Sequence, residues 1–174
     1  MVEEVRTRQR ERETVPGSEY ERALEEVSRF VERGKNGTIT VRDSDRDWEL
    51  CRQGVVKFYL VKNEYPETVL QDWFVFVHDI KKQSGKHRHQ GGLVLFVIEG
   101  EGSTEVNGEL IDWEEGDCIL LPLHPDGIEH VHFNRGNGNA RWLAFVYEPC
   151  FNHVASELSQ SAVYSGFLEA LGNA

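Results

Sequence analysis

Two histidine triplets are the residues whose type and spacing could do chemistry in this sequence. Both have the pattern H-x-H, at residues 87–89 and 130–132, and together they hold four of the seven histidines. Side chains two residues apart on a strand point to the same face, so each triplet would deliver two imidazoles to one side of a sheet. Neutral imidazole nitrogens are good ligands for iron, zinc, nickel and copper. If both pairs face the inside of one barrel, the spacing predicts a metal site.

The elements that would position these rings are short β-rich runs separated by turns. Asn107-Gly108 supplies the positive φ angles of a type I′ hairpin turn, and other Gly- and Asn-rich stretches end strands in the same way. Short strands at regular spacing are typical of an all-β sandwich or barrel, and alternating strand–helix units are absent. Strands are predicted at residues 37–41, 54–61, 69–79, 86–99, 102–106, 109–112, 118–122, 129–134 and 141–147.

Helices are predicted on either side of the barrel. Ser18 and Glu21 have the S-x-x-E spacing of a capping box, and an apolar stripe at i, i+4 and i+7 continues to Gly34, which would end the helix in a left-handed conformation. Residues 155–172 are expected to form a closing helix, and the Glu- and Arg-rich residues 1–17 a mobile tip. The predicted organisation is therefore a charged tip and amphipathic helix at 1–36, a barrel at 37–150 and a C-terminal helical segment at 151–174.

The composition of the chain argues against several classes of partner and site. The chain of 174 residues has 30 acidic residues against 19 Lys and Arg, a formal charge of -11. A negative surface repels phosphate backbones and acidic lipids, which argues against nucleic-acid and membrane roles. Three distant cysteines without a C-x-x-C pair indicate neither a disulfide framework nor a zinc ribbon. The beginning of the sequence lacks the basic and apolar regions of a signal peptide, so a cytoplasmic location is expected.

The surroundings of the triplets resemble the two motifs of the cupin family. Gly85 to Leu93, followed by Gly100, is similar to the first motif, and residues 116–122 with 127–134 are similar to the second. The resemblance covers about residues 70–148. It implies an all-β cupin barrel, the double-stranded β-helix or jelly roll, with an N-terminal and a C-terminal helix around it. Position by position, it implies that the metal ligands are His87, His89 and His130.

One position departs from the cupin pattern. Leu93 stands where the first motif usually carries a glutamate ligand, which leaves three neutral imidazoles around the ion. This set is similar to that of gentisate dioxygenase-like and β-diketone-cleaving cupins, and it implies Fe(II), with Mn, Zn or Ni as alternatives. In the gentisate group the second histidine of the later pair lies beside the iron. The resemblance therefore implies that His132 is a catalytic acid or base, or that it lies next to the metal ligands without binding the ion.

A substrate pocket is expected around the three ligands. Gln90 carries the nearest candidate oxygen to replace the missing carboxylate, and whether Gln90 or His132 also binds the metal stays open at this point. Asn134 could orient a ligand or cap a turn, and His78, on a neighbouring strand, could face the pocket. Apolar side chains that could keep water out are Leu93, Leu95, Val97, Leu120 and Phe145.

The function expected from these observations is that of an Fe(II)-dependent dioxygenase. It would use O2 to cleave a C–C bond of a small aromatic substrate, catechol- or gentisate-like, or of a dicarbonyl. One alternative is a non-oxidative metal-dependent isomerase, lyase or decarboxylase, and another is a non-catalytic cupin that binds a small ligand. The expected partners are a small-molecule substrate and O2, with a homodimer formed through the 18–34 helix or the strand at 37–41.

Overall fold

Two antiparallel sheets form the body of the protein. The computed structural model describes residues 17–62, 64–154 and 158–172. The six-stranded sheet has the order β1-β2-β3-β10-β5-β8, and the five-stranded sheet has the order β11-β4-β9-β6-β7. The strands are β1 (Trp48–Cys51), β2 (Gly54–Leu60), β3 (Trp73–Asp79), β4 (Lys86–His89), β5 (Leu93–Glu99), β6 (Glu101–Val106), β7 (Glu109–Glu114), β8 (Cys118–Leu121), β9 (Ile128–Asn134), β10 (Arg141–Tyr147) and β11 (Ser159–Ala162).

The core lies between the sheets and follows from strict alternation along the strands. In β5, Leu93, Leu95 and Val97 are buried, whereas the residues between them are exposed. Successive strand residues point to opposite faces, so this pattern places one row inside and the other outside. The buried apolar cluster comprises Ile80, Leu93, Leu95, Val97, Trp113, Ile119, Leu121, Ile128, Ala140, Trp142, Ala144 and Val146.

The predicted turns explain two breaks between strands. Asn107 and Gly108 have φ angles of 49° and 91°, and they join β6 to β7 as the tight hairpin that the sequence predicts. Gly91 and Gly92 have φ angles of 85° and 75°. Two successive left-handed residues cannot continue a strand, so the single strand predicted at 86–99 is two strands that belong to different sheets.

The first predicted strand is wrong. Residues 37–41 make one isolated bridge, between Thr38 and Thr68, and the strand at the edge of the six-stranded sheet is instead β1. β1 is mostly exposed, so it lacks the apolar alternation by which a half-buried strand is recognised in a sequence. The strand predicted at 69–79 begins later, at Trp73.

The predicted N-terminal helix is confirmed as α1 (Glu19–Asn36). Ser18 is its N-cap, and the hydroxyl of Ser18 accepts a hydrogen bond from the amide of Glu21 at 3.2 Å. Gly34 does not end the helix, which continues for two further residues. No residue of α1 is buried, and the apolar stripe is open, with Phe30 at 61% exposure. Of the tip predicted at 1–17, residues 1–16 lie outside the described residues.

The closing helix predicted at 155–172 is present only as a shorter helix, and a strand stands in the first part of that range. The chain forms α2 (Glu148–His153), then strand β11, then α3 (Ser165–Ala170), and residues 155–157 lie outside the described residues. β11 pairs with β4, and Gln160 lies opposite His87. A segment read as helical from its few apolar residues is therefore an edge strand of the histidine-bearing sheet.

The outer face of the six-stranded sheet is apolar and open. Val94 and Phe96 are about 40% exposed, and a groove of about 720 Å³ runs over this face beside Ile98 and Phe145. The lining of the groove includes Thr38, Ile39 and Leu70 from the loops before β1 and β3, and no residue of α1 is buried. No helix among the described residues has the length and apolarity to cross a bilayer.

Candidate metal centre

Two neighbouring strands of the five-stranded sheet place three histidine side chains close together. β4 pairs with β9, and His87 lies directly opposite His130 in that register. His89, two residues along β4, points to the same side as His87. The inward face of this sheet therefore carries the three rings that the two motifs imply as ligands.

The distances between these rings suit one shared ion. One ligand atom from each of His87, His89 and His130 can be chosen so that all lie within 4.8 Å of one another. The ring centroids are 4.3 Å apart for His87 and His130, 4.8 Å for His89 and His130, and 5.3 Å for His87 and His89. We refer to these three residues as the histidine cluster.

Burial keeps the histidine cluster uncharged. His130 is 2% exposed, and burial, followed by the proximity of His87 and His89, lowers the pKa of His130 to about 3. Burial and then His87 lower the pKa of His89 to about 4. Burial also lowers the pKa of His87, with the carbonyl of Gly85 acting in the opposite direction. Neutral rings are the form that binds metal, so the cluster needs no deprotonation near neutral pH.

The second nitrogen of each ring has a different environment. Nδ1 of His130 lies 3.2 Å from the carbonyl oxygen of Ile128 and can donate to it, which leaves Nε2 free to bind an ion. Nδ1 of His87 is buried and has no hydrogen-bond partner among the described residues. Nδ1 of His89 accepts the amide hydrogen of Gly91 at 3.0 Å, which places the proton of the neutral ring on Nε2. Binding of an ion by Nε2 of His89 therefore requires this hydrogen bond to break.

The donor set fits a divalent transition metal. The cluster found among the described residues consists of three imidazoles and contains no carboxylate. Three imidazole nitrogen donors suit Fe, Zn, Ni or Cu, whereas Mg and Ca prefer oxygen ligands. Leu93, at the position where the first cupin motif usually carries a glutamate, begins β5 and packs in the apolar core. The set also leaves coordination positions that exogenous ligands could fill.

His132 lies beside the histidine cluster, and both ring contacts and hydrogen bonds fix its position. Its ring centroid is 5.4 Å from that of His130 and 4.8 Å from that of Trp142. Its Nδ1 is 2.8 Å from the hydroxyl of Thr104, and its backbone amide donates to the hydroxyl of Ser84 at 2.9 Å. Burial, and then the other histidines, hold the pKa of His132 well below its usual value.

A row of aromatic rings leads away from His132 across the six-stranded sheet. Trp142 contacts Phe76 and His78, with centroid distances of 5.8 and 5.0 Å. Phe76 contacts Phe74 and Phe58, at 4.9 and 5.8 Å. The phenylalanines of β3 alternate with residues that line the outer groove, so they face inward, and they are half-buried. We call Phe58, Phe74, Phe76 and Trp142 the aromatic row.

His78 faces inward as expected, but it is not part of the histidine cluster. It is 3% exposed, it packs edge-on against Trp142, and the close approach of its ring requires the glycine at position 54. Burial, and then the proximity of His87, lower the pKa of His78 to about 3, against the opposing effect of Asp79. Nε2 of His78 has no hydrogen-bond partner among the described residues.

Two of the expected pocket residues are placed elsewhere. Phe145 lies on the outer face of β10 and lines the apolar groove, because Trp142, Ala144 and Val146 are the inward row of that strand. The side chain of Asn134 donates to the carbonyl oxygens of Ile80 and Gly138, so it ties down a turn.

The other expected pocket residues are mostly core. Leu95 is fully buried, and Val97 packs in the same apolar cluster. Leu120 is 67% exposed on the outer face of β8. Gln90 follows β4 and is half-buried, and its carbonyl oxygen accepts the amide hydrogen of His124.

Sequence reasoning missed several residues around the site. Phe151 of α2 lies 6.0 Å from His89 between ring centroids, and nothing in its local sequence indicates this contact. Thr104 faces His132 because of the register between β6 and β9, which the sequence alone does not give. Trp113 and Trp142 contact polar site residues, Thr104 and His132 respectively.

The fold and the histidine cluster together define the class of protein. Residues 75–146 match the family model described as the cupin domain. The match covers less than half of the chain, and the two sheets have the cupin jelly-roll fold that the sequence motifs imply.

Two curated proteins that are similar to this chain are dioxygenases. The chain is 33% identical over 72 residues to a gentisate 1,2-dioxygenase from a Haloferax species, which is 41% of this chain and 19% of that protein. It is 35% identical over 69 residues to a 5-aminosalicylate 1,2-dioxygenase from a Comamonas species, which is 40% of this chain and 17% of that protein. The chain therefore spans less than a fifth of the length of these curated relatives.

Solved structures with the same architecture support the fold. A polyketide cyclase from Streptomyces resistomycificus aligns with a TM-score of 0.52 and 14% identity, over 72% of this chain and 83% of the cyclase. A salicylate 1,2-dioxygenase from Pseudoaminobacter salicylatoxidans aligns with a TM-score of 0.50 and 17% identity, over 82% of this chain and 35% of the dioxygenase. At these identities the likeness establishes the jelly roll alone.

Proposed function

We propose that the protein is an Fe(II)-dependent dioxygenase that cleaves a C–C bond of a small aromatic substrate, or of a dicarbonyl. The observation that carries the proposal is the histidine cluster, three neutral imidazoles, two buried and one half-buried, without a carboxylate. The aromatic row, which reaches the cluster through His132, favours a planar ring as substrate over a sugar or a polar chain. The similarity to a gentisate 1,2-dioxygenase and a 5-aminosalicylate 1,2-dioxygenase points in the same direction.

Three side chains would hold the metal. His87 and His89 would bind it from β4 and His130 from β9, so the backbone pairing of these strands fixes the distance between donors. Iron(II), when bound, supplies the electron transfer between substrate and O2 that protein side chains cannot provide. Because the three ligands are uncharged, the site keeps a full double positive charge, which attracts a substrate that presents two oxygens as anions.

The remaining residues would orient the substrate and exclude water. His132 is beside the cluster and is fixed by hydrogen bonds at both its ring and its backbone, so it can hold a proton at a defined place. The aromatic row offers faces on which a substrate ring can stack. Leu95, Val97 and Ile128 belong to the buried apolar core, which would keep water out of the interior.

A non-oxidative reaction is the second candidate. A buried imidazole beside a divalent cation can also polarise a carbonyl group, which is the requirement of an isomerase, lyase or decarboxylase. The same three ligands would then hold Fe, Mn, Zn or Ni as a Lewis acid, and the reaction would need no O2.

The test begins with metal content and O2 consumption. Protein purified without chelator is analysed for metal, reloaded with Fe(II) under argon, and supplied with gentisate, catechol or a β-diketone in an oxygen electrode. We expect one iron per chain and O2 uptake with at least one substrate. His130→Asn is expected to lose the metal, whereas the matched variant His153→Asn, at an exposed histidine of α2, keeps both metal and activity.

Each rival gives a different result in the same assay. Turnover under argon with zinc or manganese supports the non-oxidative reaction. A protein that binds no metal, and whose ligand binding is unchanged by His87→Ala, supports a non-catalytic binding role. Stoichiometric iron without O2 uptake on any of these substrates refutes the proposed reaction.

A further inference from the structure

A chain of hydrogen bonds crosses three adjacent strands and ends on His132. Trp113 on β7 donates from Nε1 to the hydroxyl oxygen of Thr104 on β6, at 2.9 Å. The same hydroxyl oxygen lies 2.8 Å from Nδ1 of His132 on β9, directly opposite Thr104 in the strand register. All three side chains are at most 4% exposed, so bulk water does not compete for these bonds.

A glycine makes the first of these bonds possible. Gly102 lies opposite Trp113 in the β6–β7 pairing, and a Cβ atom there would collide with the six-membered part of the indole. With a hydrogen in that place, the ring packs close to the backbone of Gly102, and its N–H reaches Thr104, two residues further along β6. The strand pair is therefore shaped to aim an indole donor at one hydroxyl.

The direction of the second bond follows from the first. An indole nitrogen can only donate, so the oxygen of Thr104 accepts there and its own hydrogen needs another acceptor. Nδ1 of His132 is the acceptor within hydrogen-bond distance among the described residues. If Nδ1 carried a proton instead, the fully buried hydroxyl hydrogen would have no partner, which is strongly unfavourable. Nδ1 therefore accepts, and the single proton of the neutral ring sits on Nε2.

We propose that Trp113 and Thr104 are positioning residues that hold His132 as a hydrogen-bond donor through Nε2 and keep it from binding the metal. The lone pair of Nδ1 is used by Thr104, and Nε2 carries hydrogen, so neither nitrogen has electrons to offer an ion. The ligand set is then limited to the histidine cluster. That the recipient of the Nε2 hydrogen is an oxygen of the metal-held substrate rests on the proposed function, whereas the protonation pattern itself does not.

The pattern is measured directly by NMR. Protein labelled with ¹⁵N in histidine, both metal-free and loaded with zinc, gives long-range ¹H–¹⁵N spectra that distinguish the two neutral forms of each ring. We expect His132 to be protonated at Nε2 in both states. Thr104→Val should change the ratio of the two forms by about tenfold or more towards Nδ1, the factor associated with one buried hydrogen bond.

Two further variants separate positioning from general packing. Thr104→Ser keeps the hydroxyl and should restore the wild-type pattern. Trp113→Phe removes the indole donor and should move the ratio in the same direction as Thr104→Val. Trp142→Phe is the matched control, since it removes an indole that touches the His132 ring without belonging to the chain. It should leave the pattern unchanged.

Two results would overturn the proposal. One is a wild-type His132 that carries its proton on Nδ1, which decides the matter even if a variant fails to fold. The other is a Thr104→Val protein with the wild-type pattern. Metal content adds an independent check, because His132→Gln should bind as much zinc as the wild type. Absence of O2 uptake would refute the proposed function and leave these spectra unaffected.

Discussion

Acidification should destabilise the metal-free protein through its buried histidines. The pKa is about 3 for His130 and His78 and about 4 for His89 in the folded protein, against an ordinary value of 6.5. Below pH 6.5 these histidines are therefore protonated in the unfolded chain, whereas they stay neutral in the folded chain. Protons thus stabilise the unfolded state, so the free energy of unfolding falls as pH decreases from 6.5 towards 4.

The size of the effect follows from the same values. At pH 5 each of these rings is almost fully protonated in the unfolded chain and almost fully neutral in the folded one. Each then costs about 2 kcal/mol relative to pH 7, and the three together about 6 kcal/mol. A domain is stable by about 5–15 kcal/mol in total, so the loss is a large part of the stability.

Urea unfolding of chelator-treated protein at pH 7.5, 6.5, 5.5 and 5.0 measures this loss. His78→Asn should reduce the loss at pH 5 by about 2 kcal/mol, since one of the three groups is removed. His153→Asn is the matched control at an exposed histidine and should leave the curve unchanged. A free energy of unfolding that is flat between pH 7 and pH 5 would refute the assignment of neutral buried rings.

Three further predictions concern single residues. Leu95→Ala, which leaves a cavity in the fully buried core, should lower the free energy of unfolding by about 2–5 kcal/mol and leave the metal content unchanged. Gly102→Ala, which pushes a methyl group into the indole of Trp113, should cost about 1–3 kcal/mol in a thermal or urea melt. The homodimer stays a prediction; if the open apolar face of the six-stranded sheet forms it, Phe96→Lys should give monomers in light scattering, and Leu110→Lys, at an exposed position of β7, should not.

Each of these three predictions has an outcome that would contradict it. Loss of metal in Leu95→Ala would mean that the residue lines the site after all. A Gly102→Ala protein as stable as the wild type would mean that the indole has room to move. A wild-type protein that is monomeric at high concentration would contradict the predicted homodimer and the role assigned to Phe96.

Local chemistry in the sequence was enough to place the histidines. The turn residues Asn107 and Gly108 fix the β6–β7 hairpin, and the H-x-H spacing fixes which rings share a face of a strand. Once β4 and β9 pair in register, His87 and His130 must meet. The turn and the shared face of each H-x-H depend on neighbours a few residues away, which is why they could be predicted, whereas the pairing of β4 with β9 was implied by the cupin resemblance.

Features that depend on distant pairing could not be predicted. The inward row of β10 is set by its partners β3 and β5, and Phe145 was assigned to the wrong face because a slip of one residue exchanges the two faces. β11 is polar and exposed, so only its pairing with β4 makes it a strand. Trp113 and Thr104 meet because Gly102 is a glycine, a contact visible only once the register is known.

The position of β11 has a practical consequence for work on the protein. β4 would be an edge strand without it, so one side of the backbone that carries His87 and His89 is completed by Ser159–Ala162. A chain shortened before Ser159 would expose those amides and carbonyls to solvent and loosen the spacing of the two rings. We therefore expect deletion of Ser159–Ala162 to lower metal affinity before it abolishes folding.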